Sequence, residues 1–75
     1  MKTEKFNYIY LCIYSNYNYN CIKFNSYYDA DNHCNKYYSK NLNTTMIPVC
    51  KYTPSFLHKY IINYKLKKIY NVKII

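Results

Sequence analysis

The chain has 75 residues, with 11 lysines, no arginine and three acidic residues, giving a formal net charge of +8. A domain of this size buries only about 60% of the surface its unfolded chain exposes, which leaves room for one domain, residues 1–75, and none for a deep catalytic pocket. No apolar run is long enough to span a bilayer.

Residues 6–14 read as a strand. Ile9, Leu11 and Ile13 fall on one face, and Phe6, Tyr8, Tyr10, Cys12 and Tyr14 on the other. Residues 15–18 read as a turn and residues 19–24 as a second strand. Folding the two as a hairpin pairs Ile9 with Phe24, Leu11 with Ile22 and Ile13 with Asn20. The same register sets Cys12 opposite Cys21 and Tyr14 opposite Tyr19. A slip by one residue would send each apolar set to the wrong face.

Ser26 is a helix start, with Asp29 as its capping partner three residues on. Tyr27, Ala30, Cys34 and Tyr37 share the face that would pack on the hairpin, while His33, Lys36 and Lys40 point elsewhere. Asn41 is a stop signal. Residues 44–52 read as a strand with Ile47 and Val49 on one face; Pro48, which has no backbone donor, restricts it to an edge or a bulge. Thr53-Pro54 is a second helix start, an N-cap hydroxyl followed by proline at the first helical position. Leu57, Ile61 and Tyr64 form its apolar stripe. Residues 68–75 are rich in Ile, Val and Tyr, which favours a final strand. The chain contains no glycine, so every turn must use Asn, Asp, Ser or Pro. These elements predict an α+β fold: a small antiparallel sheet made of the N-terminal hairpin and further edge strands, with one or two helices packed on one face.

Lys, Asn, Tyr, Ile, Phe and Leu make up 51 of the 75 residues. All six have codons built only from A and T, so an AT-rich genome accounts for much of the lysine. It does not account for the acids, whose codons are also A-rich. Glu4, Asp29 and Asp31 are the only ones, and none follows Asp31. A one-signed field over more than half a chain is the footprint of a polyanion partner, and a solvated basic face is the alternative. The lysine-dense tail, with Lys65, Lys67, Lys68 and Lys73, is the candidate contact surface. Lysines act on phosphates as point charges. Without arginine there is no bidentate reading of guanine, so recognition rests on backbone and shape. Tyr8, Tyr10, Tyr14 and Tyr19 with Lys23 offer a second candidate, an aromatic sheet face on which bases stack; ordinary strand propensity explains the same residues.

No nucleophile–base arrangement is visible, and without glycine there is no phosphate-cradling loop, so no enzyme, cofactor or small-molecule substrate is expected. Cys12, Cys21, Cys34 and Cys50 lack the C-x-x-C spacing of a zinc site. Cys12 and Cys21 also fall on the hairpin face opposite to that facing Cys34, which argues against a shared metal. Free thiols in a reducing intracellular compartment are expected.

Thr3-Glu4-Lys5, the Asn43 to Pro48 spacing, and Tyr64-Lys65 followed by Lys67-Lys68-Ile69-Tyr70 resemble landmarks of the large-subunit ribosomal protein twenty-three family, of bacterial and plastid type. The separations are similar to those of the plastid form and cover nearly the whole chain. The family's loop after the proline is rich in Gly and Arg, which this chain lacks, and its first segment is partly helical. The resemblance implies a structural component of the large ribosomal subunit in a plastid-type organelle. It would contact ribosomal RNA through the region from Lys51 through Lys59 to Lys68 and lie beside neighbouring ribosomal proteins. The alternative is a small basic interaction protein of an AT-rich virus or phage, without catalytic activity. A membrane-surface role for the second helix ranks last.

Overall fold

A computed structural model describes residues 6–38 and 43–75, with side chains as far as residue 35 in the first stretch. The predicted stop at Asn41, Lys40, and the side chains of Lys36 and Tyr37 lie outside the described residues. The elements are β1 (Asn7–Ser15), β2 (Asn18–Phe24), α1 (Tyr27–Tyr38), β3 (Thr44–Cys50), a 3-10 turn (Ser55–Leu57), α2 (His58–Lys65) and β4 (Asn71–Ile74). The strands form one sheet in the order β3-β1-β2-β4.

The hairpin has the register that its side-chain alternation predicts. Ile9 pairs with Phe24, Leu11 with Ile22, Cys12 with Cys21, Ile13 with Asn20 and Tyr14 with Tyr19. Its loop is Asn16-Tyr17, and both residues have positive φ, 50° and 67°. Two left-handed residues match the right-handed twist of the flanking strands. Asparagine suits that conformation, whereas tyrosine is strained in it. Pro48 sits in β3, an edge strand, exposed and opposite Ile9, where its missing donor breaks no inner ladder.

Ser26 caps α1 as expected: its Oγ accepts the Asp29 backbone N–H at 3.2 Å. Cys34 is buried against Leu11 and Ile13, with Ile22, Phe24 and Met46 around them, and Ala30 is fully buried on the same helix. Tyr27, expected on the same face, is half exposed. The other sheet face carries Tyr10, Cys12, Tyr19, Cys21, Ile47, Val49 and Val72, covered by Ile62 of α2. Fully burying a side chain such as Leu11 or Ile62 contributes about 1.5–3 kcal/mol.

Two features of the sheet differ from expectation. The helices lie on opposite faces, α1 over Leu11 and α2 over Cys12. In addition, β4 pairs parallel to β2, so the sheet is mixed. Chain geometry links the two. Both β2 and β3 run antiparallel to β1, and β4 runs parallel to β2. The connections β2–α1–β3 and β3–α2–β4 are therefore crossovers between parallel strands, and they travel in opposite directions across the sheet. They share one hand only if their helices take opposite faces, as the fixed chirality of crossovers requires.

The second helix also starts differently. Thr53 makes no cap through its hydroxyl; Pro54 precedes a 3-10 turn, and no side chain caps it or α2. The buried stripe is His58 and Ile62, whereas Leu57 and Tyr64 of the predicted stripe are exposed and Ile61 is half-buried. A histidine takes a core position here because both its ring nitrogens find partners, as described below.

Candidate nucleic-acid interface

α2 ends in a left-handed cap. Lys67 has φ 59°, its N–H bonds to the Tyr64 carbonyl at 3.0 Å, and the Lys68 N–H bonds to the Asn63 carbonyl at 3.2 Å. This is the Schellman pattern, which normally uses glycine at the position of Lys67. The Asn63 side chain then accepts the Tyr70 backbone N–H at 2.9 Å, fixing the path from helix to β4. Tyr70 is held in turn by edge-on contacts with Tyr19 at 4.8 Å and Tyr14 at 6.1 Å between ring centroids.

The result is an open groove of about 810 Å³ lined by Lys59, Tyr60, Asn63, Tyr64, Lys67, Lys68, Ile69 and Tyr70. Three of the six candidate lysines, Lys59, Lys67 and Lys68, therefore converge on one concavity. The other three do not. Lys65 is exposed on α2 outside the groove. Lys73 stands opposite Asn20 on β4, next to buried Val72, so it projects from the other face of the sheet. Lys51 follows β3 at the far end of β1, with its Nζ 5.5 Å from the Tyr8 ring centroid; Lys23 approaches the same ring at 4.4 Å.

The aromatic hairpin face is not available as a stacking platform. Tyr10 and Tyr19 are core residues beneath α2, and Tyr14 packs against the same core. Only Tyr8, flanked by its two lysines, remains at the margin. Burial pushes the Tyr10 and Tyr19 phenols up from their ordinary pKa, with smaller contributions from neighbouring titratable groups. The stripe Leu57, Ile61 and Tyr64 places Tyr64 toward the core and leaves out Tyr60. The signal is the spacing of Tyr60 and Tyr64, which places both on successive turns of one α2 face.

His58 is accounted for by structure. Its Nδ1 accepts the Tyr10 hydroxyl at 2.6 Å and its Nε2–H donates to the Thr53 carbonyl at 3.0 Å. Cys12 and Cys21 face each other under α2. Their mutual hydrogen bond, followed by burial, pushes the Cys12 thiol up. Cys34 lies beneath α1 on the other face, its Sγ 3.3 Å from Thr44 Oγ1. Among the described residues no three His, Cys, Asp or Glu side chains gather where a metal would bind, and no helix is long and apolar enough to cross a membrane. No protein-family model matches the chain, and neither curated proteins nor solved structures give a match.

Proposed function

We propose that this protein binds RNA through its phosphate backbone and catalyses no reaction. The observation that carries the reading is the convergence of Lys59, Lys67 and Lys68 on the groove formed by α2 and the segment leading to β4, within a chain that has no acidic residue after Asp31. Nothing nearby in sequence cancels that field, and lysines without arginine suit phosphates better than base edges. The resemblance to the ribosomal family supports ribosomal RNA as the polymer and a plastid-type ribosome as the setting. The β1–β2 hairpin, standing where that family is partly helical, counts against the ribosomal form of the reading but not against RNA.

Fluorescence anisotropy with a labelled RNA across a salt series tests it. Affinity should fall linearly on a log–log plot, and replacing Lys59, Lys67 and Lys68 together by glutamine should reduce the slope by roughly 2, at about 0.7 per phosphate contact on a single strand. A salt-independent affinity, or a slope unchanged by the triple substitution, would remove the groove from consideration. Point substitutions are needed because truncation before Lys65 would also delete Val72 from the core.

A second reading, a protein-binding module, is favoured by the exposure of Tyr60, Tyr64 and Ile69, at 66%, 80% and 91%, around one groove. Contiguous exposed apolar side chains mark interaction surfaces generally. That reading predicts no salt-dependent retention on RNA.

A further inference from the structure

We propose that the groove takes an unpaired, single-stranded segment of RNA, with its bases laid against Tyr60 and Tyr64 and its phosphates beside Lys59, Lys67 and Lys68. The inference rests on the RNA reading above and narrows it.

Three observations carry it. First, the groove is built from alternating chemistry. Lys59 precedes Tyr60 and Lys67-Lys68 precede Ile69-Tyr70, so each cationic group has an aromatic or apolar neighbour on the same wall. A duplex presents sugar and phosphate outward and keeps its base faces stacked inside, which leaves exposed rings without a counterpart. A single strand offers both a charged backbone and free base faces, and aromatic side chains beside basic ones are how proteins hold such strands.

Second, the spacing fits an unstacked strand. Tyr60 and Tyr64 are four residues apart on α2, a separation along the axis of about 6 Å. Successive bases in a stacked strand are about 3.4 Å apart. Rings projecting from successive helical turns have no counterpart in a duplex, whose neighbouring bases stay stacked on one another. They match bases that have been drawn apart, as loops and single-stranded ends permit.

Third, the wall is preorganised, although its rings are exposed. Asn63, between the two tyrosines, spends its carbonyl oxygen on the Tyr70 N–H. Lys67 is held in a left-handed backbone by two cap hydrogen bonds, and Lys68 Nζ sits 5.9 Å from the Tyr70 ring centroid. Charge complementarity selects the occupant: no carboxylate lines the groove, so an acidic polymer with stackable faces suits it. An anionic vesicle surface would satisfy the charge without using the ring spacing.

The test compares the full chain with a labelled unstructured RNA of about a dozen nucleotides and with the same strand annealed to its complement, at one salt concentration. Single-stranded RNA is expected to bind at least about tenfold more tightly. Substituting Tyr60→Ala and Tyr64→Ala should weaken single-strand binding at least about fivefold per ring, while Tyr60→Phe and Tyr64→Phe, which keep the rings, should restore it. Both positions are exposed, so the variants should keep their circular dichroism and melting temperature; loss of either signal alongside binding is resolved by the phenylalanine pair. Equal or tighter binding of duplex, or wild-type affinity in the alanine variants, overturns the single-strand inference and leaves RNA binding standing. Absence of binding to both RNAs, including the case where only anionic phosphatidylserine vesicles bind, overturns both.

Discussion

The Tyr10 hydroxyl donates a 2.6 Å hydrogen bond to Nδ1 of His58, and the two side chains are 2% and 3% exposed. The pair joins the central strand β1 to the first turn of α2. Forty-eight residues separate the partners, so the bond closes most of the fold around it. Removing the hydroxyl leaves a buried acceptor without a partner, which costs about 1–3 kcal/mol, whereas replacing both partners by apolar groups costs less. Tyr10→Phe should therefore lower the urea midpoint more than the combination Tyr10→Phe with His58→Leu lowers it relative to His58→Leu alone. A double-mutant cycle from urea unfolding measures the coupling; additive effects would show that the bond contributes nothing.

Tyr17 is 85% exposed and sits at φ 67° in a two-residue hairpin loop. Its ring packs on nothing that its strained backbone would need. Tyr17→Gly creates Asn-Gly, the preferred sequence for this loop. It should raise stability by about 1 kcal/mol, the strain relieved less the added entropy of glycine in the unfolded chain. Thermal melting checks it, with an increase of several degrees expected for a chain of this size.

Lys67 separates stability from binding. It occupies the glycine position of a helix cap and also lines the groove. Lys67→Gly should stabilise the fold by about 1 kcal/mol and at the same time weaken RNA binding and lower its salt slope. A rise in melting temperature with unchanged RNA affinity would show that this lysine serves the cap alone.

The thiols and phenols of the α2 face predict alkaline sensitivity. The Cys12 thiol lies above its ordinary 9.0, and the Tyr10 and Tyr19 phenols above 10.0. In the unfolded chain these groups ionise first as pH rises, while the folded ones stay protonated. The unfolded state then binds fewer protons, so stability is full below about pH 9 and falls above it. Melting temperature between pH 7 and pH 11 should show the decline, and Cys12→Ala should flatten part of it. The same burial governs reactivity. Iodoacetamide should modify exposed Cys50 in the folded chain and reach Cys12, Cys21 and Cys34 only on unfolding; mass spectrometry of labelled peptides distinguishes the cases.

The local record in the sequence was sufficient for the hairpin. Side chains alternate with a period of two, and one register alone satisfies Ile9–Phe24, Leu11–Ile22 and Cys12–Cys21 together. The Ser26 cap and the edge position of Pro48 were equally legible, because each depends on a few neighbouring backbone groups. The charge asymmetry was legible as well, since it is a property of composition. The placement of α2 was not. Its buried stripe runs through His58, whose hydrogen-bond partners are Tyr10 and the Thr53 carbonyl, and a polar ring reads as core only when its partners are in place. Nor did the sequence show that the tyrosine face of the hairpin is covered, because that depends on which side α2 crosses. Crossover handedness decides the side, and it operates on strand directions that exist only once the sheet has formed. Lys59, Lys67 and Lys68 stand around one groove, while Lys51 and Lys73 lie elsewhere. The sequence by itself determined how much positive charge the chain carries and where its strands pair. The tertiary structure decided which of those charges stand together, because proximity between lysines on α2 and the segment leading to β4 comes from the helix cap and the Asn63–Tyr70 bond rather than from their spacing along the chain.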